Sequence, residues 1–191
     1  MATAALPASE VEADFAEPAE HYEVVDGRVV EEPPLGAHEI WIASKIIRGI
    51  NFADPTGQLG NVVAEGLFVI ARSPRLRRRP DVAFVSGERW PVRRPVPREN
   101  AWGVIPDLAV EITSPTDHVD DLMDKLEEYF RAGVRLVWVV YPKHRKVYAY
   151  DSPKSARILE VGAGLDGGAV LPGFRLALAE LFETTEDGPT T

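Results

Sequence analysis

Two Pro-Asp steps, Pro80-Asp81 and Pro106-Asp107, each lead into a short apolar run, Val82-Ala83-Phe84-Val85 and Leu108-Ala109-Val110-Glu111-Ile112-Thr113. Carboxylates gathered at strand ends can hold a divalent cation, and such a cation activates water for hydrolysis. The second run contains an anomaly. Alternation at a period of two sets Leu108, Val110 and Ile112 on one face, with Ala109, Glu111 and Thr113 on the other. Glu111 is therefore a carboxylate inside an apolar strand, and it needs a cation, a hydrogen-bond network or a raised pKa. A structural salt bridge would also satisfy it. Asp81 has a plain alternative as the cap of a turn. If the two strands are neighbours, however, Asp81 and Glu111 converge on one oxygen-lined site of the kind that suits Mg²⁺. Lys125 offers a third group at the edge of a helical apolar stripe, where its alternative is a surface pair with Asp121 or Glu128.

The elements that must position these groups follow from periodicity. Tyr22 to Val30 reads as two short strands around Asp26-Gly27, a strong hairpin signal. The spacing predicts a helix over 37–52 with Ile40, Trp41, Ser44, Ile47 and Ile50 largely on one side. Runs at 61–70, 80–85, 107–112 and 136–141 predict four strands. Between the last two, 115–132 carries an apolar stripe of Val119, Leu122, Leu126, Tyr129 and Phe130, closed by Gly133. Ser114-Pro115 suits an N-cap and first turn rather than a nucleophile. A helix joining two strands implies a parallel crossover. Strands over 146–150 and 157–161, a Gly-rich turn region at 162–168 and a short helix over 177–182 complete an α/β or α+β sheet with helices packed on it.

The chain has 191 residues, 45% hydrophobic and 27% charged, which predicts one folded domain over 21–182. Residues 1–20, with five carboxylates and no base, read as an acidic flexible tail, and 183–191 as a flexible C-terminal tail. No apolar run is long enough to span a bilayer. The absence of cysteine excludes disulfides, thiolate metal sites and cysteine nucleophiles, and fits a cytoplasmic location. No Gly-x-Ser-x-Gly, Walker loop or dinucleotide fingerprint is present. The net charge of −9 argues against a protein that coats nucleic acid through its overall field. Between Arg72 and Arg98, however, nine Arg face only Asp81 and Glu88, a local +7 on a remainder of −16. That run is either a solvated loop or a phosphate-holding segment.

The ordered pattern Tyr22-Glu23-Val24-Val25-Asp26-Gly27, Pro80-Asp81-Val82-Ala83, Pro106-Asp107-Leu108-Ala109-Val110-Glu111-Ile112-Thr113-Ser114-Pro115 and Asp121…Lys125…Tyr129…Gly133-Val134…Trp138 resembles the Uma-two family over about 20–182. That family is grouped with the PD-(D/E)XK nucleases. The resemblance implies a restriction-endonuclease-like fold, a mixed central sheet flanked by helices, here with an N-terminal β-hairpin. It also implies a catalytic set of Asp81, Glu111 and Lys125. In the superfamily pattern a lysine stands two residues after the strand carboxylate, where this chain has Thr113, and the resemblance moves that role to Lys125 on the helix. It adds the Ile112 carbonyl as a third metal ligand beside Asp81 and Glu111. Glu23, His38 and Glu39 are accessory candidates.

The resulting expectation is a Mg²⁺-dependent endonuclease, with Mn²⁺ able to substitute, acting on nucleic acid and foremost on DNA. Arg77, Arg78 and Arg79 would hold phosphates. No membrane partner is expected, and a homodimer stays open as the assembly. Two alternatives use the same residues differently: a non-catalytic module binding nucleic acid or protein, and a hydrolase of a small phosphate ester.

Overall fold

The computed structural model describes residues 21–71, 75–115 and 117–183. The N-terminal tail, Arg72 and all of the C-terminal tail but Glu183 lie outside the described residues. Strand β1 (Tyr22–Val25) and β2 (Arg28–Glu31) pair as an antiparallel hairpin. Its turn residues Asp26 and Gly27 have φ of 50° and 77°, the left-handed backbone that Asp-Gly tolerates. Helix α1 (Ala37–Ala53) buries Ile42, Ala43, Ile46 and Ile50. This is a different face from the one the spacing predicts, and Ile40 and Trp41 are about half exposed. So many positions from 40 to 50 are apolar that several faces satisfy the same period, and contact with the sheet selects one.

The expected strand over 61–70 is two strands, β3 (Gly60–Ala64) and β4 (Leu67–Ala71). Glu65 between them has φ of 48°, so the chain turns before Gly66 and leaves one sheet for another. Strand β5 (Leu76–Arg78) pairs with both β1 and β4, while β6 (Val82–Ser86) pairs with β3. After a two-residue β7 (Ala101–Trp102) come β8 (Leu108–Ile112), helix α2 (Val119–Ala132) and β9 (Leu136–Tyr141). Strands β8 and β9 pair in parallel across α2, as the crossover requires. Strand β10 (Lys146–Ser152) and β11 (Ser155–Glu160) extend the sheet, and β12 (Gly164–Gly167) pairs with β13 (Leu171–Ala177) before α3 (Leu178–Phe182). The stretch read as a Gly-rich turn region therefore contains β12.

Among the described residues the main sheet is mixed, in the order β11-β10-β9-β8-β6-β3, and a second sheet runs β2-β1-β5-β4-β7. The architecture is α+β. One face of the main sheet meets α1, α3 and β13 through Ile42, Ile46, Phe84, Val110, Trp138 and Phe174. The other meets α2 and the second sheet through Ala83, Ala109, Leu126, Tyr129, Val137 and Phe68. Helix α2 starts later than expected. The Ser114 main-chain N–H and hydroxyl both donate to the Asp117 carboxylate, at 2.8 and 2.6 Å, so Ser114 belongs to a turn and not to an N-cap. Gly133 does end the helix, with φ of 103° and its N–H on the Tyr129 and Phe130 carbonyls. No helix among the described residues is long and apolar enough to cross a membrane.

Candidate active site

The register of β6 on β8 aligns Val82 with Val110 and Ala83 with Ala109. Asp81, one residue before Val82, thus stands across from Glu111, one residue past Val110. Both line the same cleft, on the side covered by α2. Asp81 Oδ2 accepts a hydrogen bond from the Ile112 N–H at 2.5 Å, which fixes its carboxylate against β8. Ala83 and Ala109 follow on the same face, and their small side chains let α2 approach closely. Tyr129 on that helix is fully buried and donates its hydroxyl to Glu111 Oε1 at 2.6 Å.

Lys125 lies one helical turn before Tyr129 and reaches into the cleft. Its Nζ is 3.8 Å from Glu111 Oε2, 3.4 Å from Glu32 Oε1 and 3.2 Å from Glu23 Oε1. The sequence-level alternative of a surface pair is not what forms. Glu128 instead binds Arg78, whose Nε and Nη2 both contact Glu128 Oε2. Arg78 Nη1 donates to Glu23 Oε2 at 2.6 Å, and the Arg79 N–H donates to Glu23 Oε1 at 2.8 Å.

These contacts set the protonation of the site. Burial pushes Asp81 up to about 8, and the facing Glu111 adds to the rise against the Ile112 N–H and Lys125. Burial likewise raises Glu111, with Lys125 opposing. Burial would raise Glu23 too, but Lys125, Arg78 and the Arg79 N–H outweigh it and hold Glu23 below the usual carboxylate range. Glu32 is pushed up to about 7 by burial, with Lys125 opposing and the Glu23 charge reinforcing. Lys125 loses solvation, yet Glu111, Glu23 and Glu32 hold it above the ordinary lysine value. Burial and Glu111 keep Tyr129 a protonated donor.

Asp81, Glu111, Ile112 and Lys125 all line a cleft of about 420 Å³. Its rim is acidic, with Glu31, Glu32, Glu39, Glu65, Asp117 and Asp121 against the cations Lys125 and Arg79. Of the accessory candidates, Glu39 lines the cleft, whereas Glu23 lies behind Lys125 and His38 is exposed and outside the lining. Glu32 and Tyr129 escaped the sequence reading as site residues. Glu32 carries no sequence signal, but Tyr129 had one, since it is four residues from Lys125 on one helix face.

The arginine segment requires a correction. Arg77 and Arg78 are buried, at 7% and 5% exposure, and Arg78 is committed to Glu23 and Glu128. They do not form a solvent-facing phosphate cradle, and the Arg78 charge is taken up by the buried Glu23 and by Glu128. Arg79 is half-buried and donates to the carbonyls of Tyr22 and Glu65 at the cleft wall. The exposed Arg93, Arg94 and Arg98 belong to the segment between β6 and β7 and do not line the cleft. The second Pro-Asp step is structural. Asp107 is fully buried, accepts the Ser86 N–H at 2.7 Å and pairs with Arg89 and Arg135 at 2.8 and 2.9 Å.

Among the described residues no three His, Cys, Asp or Glu side chains form a ready-made metal site. What the cleft offers is two facing carboxylates and the main chain of Ile112, all oxygen donors. Two carboxylates driven toward protonation by burial, Asp81 further by the facing Glu111, form a donor pair that fits a hard divalent cation.

The fold is that of a solved structure described as "a putative nuclease belonging to DUF820" from Anabaena variabilis, with a TM-score of 0.74 and 18% identity over 88% of this chain and 93% of that one. At that identity the likeness shows a shared fold. No curated protein matches the chain. The model of the Uma2 family, described as "Putative restriction endonuclease", matches residues 8–179, and the chain belongs to that family.

Proposed function

We propose that the protein is a Mg²⁺-dependent nuclease that hydrolyses phosphodiester bonds in DNA. The observation that carries this reading is Asp81 across from Glu111 on adjacent strands, with the Lys125 ammonium 3.8 Å from Glu111 in the same cleft. Asp81, Glu111 and the Ile112 carbonyl would hold the ion, and Mn²⁺ would substitute. When bound, Mg²⁺ supplies Lewis-acid polarisation of a phosphoryl oxygen and a water of lowered pKa. Lys125 presents positive charge to the scissile phosphate, where negative charge develops. Tyr129 keeps Glu111 oriented, and the Ile112 N–H does the same for Asp81. Membership of a family described as "Putative restriction endonuclease" supports the reading.

The acidic rim favours a second reading, a hydrolase of a small phosphate ester, because a polyanion meets more repulsion there than a small ester does. One experiment separates the two. Supercoiled plasmid, single-stranded DNA, RNA and a chromogenic phosphodiester are incubated with the protein in Mg²⁺, Mn²⁺ or chelator, alongside Asp81→Ala and Glu111→Ala. Cleavage of DNA that disappears with chelator and in both variants supports the nuclease. Turnover of the small diester alone supports the second reading, and inactivity on every substrate leaves a binding module.

A further inference from the structure

We infer that Glu23 and Arg78, which do not line the cleft, are positioning residues that aim Lys125 at Glu111. The inference rests on the reading of Lys125 as the phosphate-facing cation. A lysine on a helix has four side-chain torsions and ordinarily extends its ammonium into solvent. Lys125 instead turns inward and is only 14% exposed. The direction comes foremost from Glu23, a carboxylate with no exposed surface on β1, 3.2 Å from Nζ, while Glu32, at 3.4 Å, is 31% exposed and less firmly held.

Glu23 is itself held from two sides. Arg78 binds Oε2 at 2.6 Å, and the Arg79 main-chain N–H binds Oε1, the oxygen that faces Lys125, at 2.8 Å. Arg78 is locked in turn by Glu128, so its planar guanidinium joins carboxylates from β1 and α2 in one plane of donors. The result is an alternating line of charges, Glu128, Arg78, Glu23, Lys125 and Glu111, running from the back of α2 into the cleft. Because Glu128 is occupied by Arg78, it does not draw Lys125 toward itself three residues along the helix. A simple staple between hairpin and helix would need only the Arg78 pairs. The extra contact from Glu23 to Lys125 ties that staple to the site, and it explains how a helix-borne lysine can stand in for the missing strand lysine at Thr113.

The test uses the full chain. Glu23→Gln keeps the side-chain shape and an acceptor for the Arg79 N–H but removes the charge facing Lys125. On plasmid DNA with Mg²⁺ we expect kcat to fall about 10²-fold, the scale of a misplaced catalytic group, with KM and Mn²⁺ affinity unchanged. A second readout does not depend on cleavage. The chain has five lysines, so in protein labelled with ¹³C-lysine the Lys125 Cε signal is assigned by its loss in Lys125→Arg, and its relaxation reports side-chain order. We expect an ordered Lys125 in the wild type and a mobile one in Glu23→Gln. Should that variant fail to fold, Arg78→Gln with Glu128→Gln removes one charge of each sign and should mobilise Lys125 as well. An ordered Lys125 in the folded variants overturns the inference, whatever happens to cleavage, as does wild-type kcat in an active protein. If the wild type cleaves nothing, the nuclease reading fails and the relaxation measurement alone decides the positioning role.

Discussion

The Lys125 ammonium stands 3.8 Å from the Glu111 carboxylate, although one group comes from helix α2 and the other from strand β8. The strand position two residues beyond Glu111 is Thr113, whose hydroxyl donates to the Val140 carbonyl at 3.1 Å. Thr113 therefore serves the parallel β8–β9 seam, and the positive charge of the site arrives from the helix that covers it.

That arrangement predicts a partial exchange of roles. Lys125→Ala should abolish DNA cleavage, leave Mn²⁺ affinity intact and cost about 2 kcal/mol of stability, since Glu23 keeps Arg78 but loses its second cation. Thr113 lines the same cleft, so Thr113→Lys in the Lys125→Ala background should recover measurable cleavage. The price in stability is about 1 kcal/mol for the lost hydroxyl hydrogen bond. Plasmid nicking by the single and double variants checks this, and undiminished nicking by Lys125→Ala would exclude the lysine from the chemistry.

The raised carboxylates predict how stability depends on pH. A carboxyl group whose folded-state pKa lies above its unfolded value contributes stability that is fully present below the unfolded pKa and is lost as pH rises through the folded one. Asp81, at about 8, and Glu32, at about 7, place that loss between the ordinary carboxylate range and pH 8. The metal-free protein should therefore show a falling Tm from pH 5 to pH 8, and Asp81→Asn should flatten the fall. Mg²⁺ should raise Tm more at pH 8 than at pH 5, because protons compete for the same oxygens. A thermal scan series with and without chelator reads both effects, and a Mg²⁺ shift that shrinks with pH would contradict them.

Glu111→Gln should separate binding from folding. Its amide still accepts the Tyr129 hydroxyl and replaces a carboxylate whose charged form burial disfavours, so the metal-free variant should be at least as stable as the wild type at pH 7. Calorimetric titration with Mn²⁺ should give heat for the wild type and none for the variant. Equal heats would move the ion away from Glu111.

The two Pro-Asp steps should respond in opposite ways. Asp107→Asn keeps an acceptor for the Ser86 N–H but removes the buried charge that Arg89 and Arg135 share, and should cost about 3 kcal/mol in urea denaturation. Metal affinity should not change, because Asp107 lies at the far end of β8 from Glu111. A loss of Mn²⁺ binding in a folded Asp107→Asn protein would show that the two ends of the strand are coupled.

Much of this site is legible in the sequence because it depends on strand alternation. Ala109, Glu111 and Thr113 must share a face, and the Asp-Gly turn and Gly133 punctuate the chain where they are expected. Other features depend on partners distant in sequence. Nothing in Leu76-Arg77-Arg78 marks it as a strand, and a run of arginines reads as solvated until Glu23 and Glu128 are seen to bury one of them. The split at Glu65 was hidden because Val62 to Ile70 is apolar on both sides of one turn, and only the backbone φ separates the two sheets. The burial face of α1 is not legible because its apolar positions fit more than one stripe.

Glu23, Glu32, Asp81, Glu111 and Lys125 come from both sheets and a helix, so the cleft has no local fragment that works alone. During synthesis at about 5–20 residues per second, Asp81 leaves the ribosome seconds before Lys125 does. Helix α2 connects β8 to β9 and packs on the face of the sheet that those two parallel strands form. A chain that stops before Val119 would hold Glu23, Glu32, Asp81 and Glu111 with no cation from α2 among them. The acidic cluster therefore gains its lysine only once α2 has been made, and no shorter chain contains the whole site.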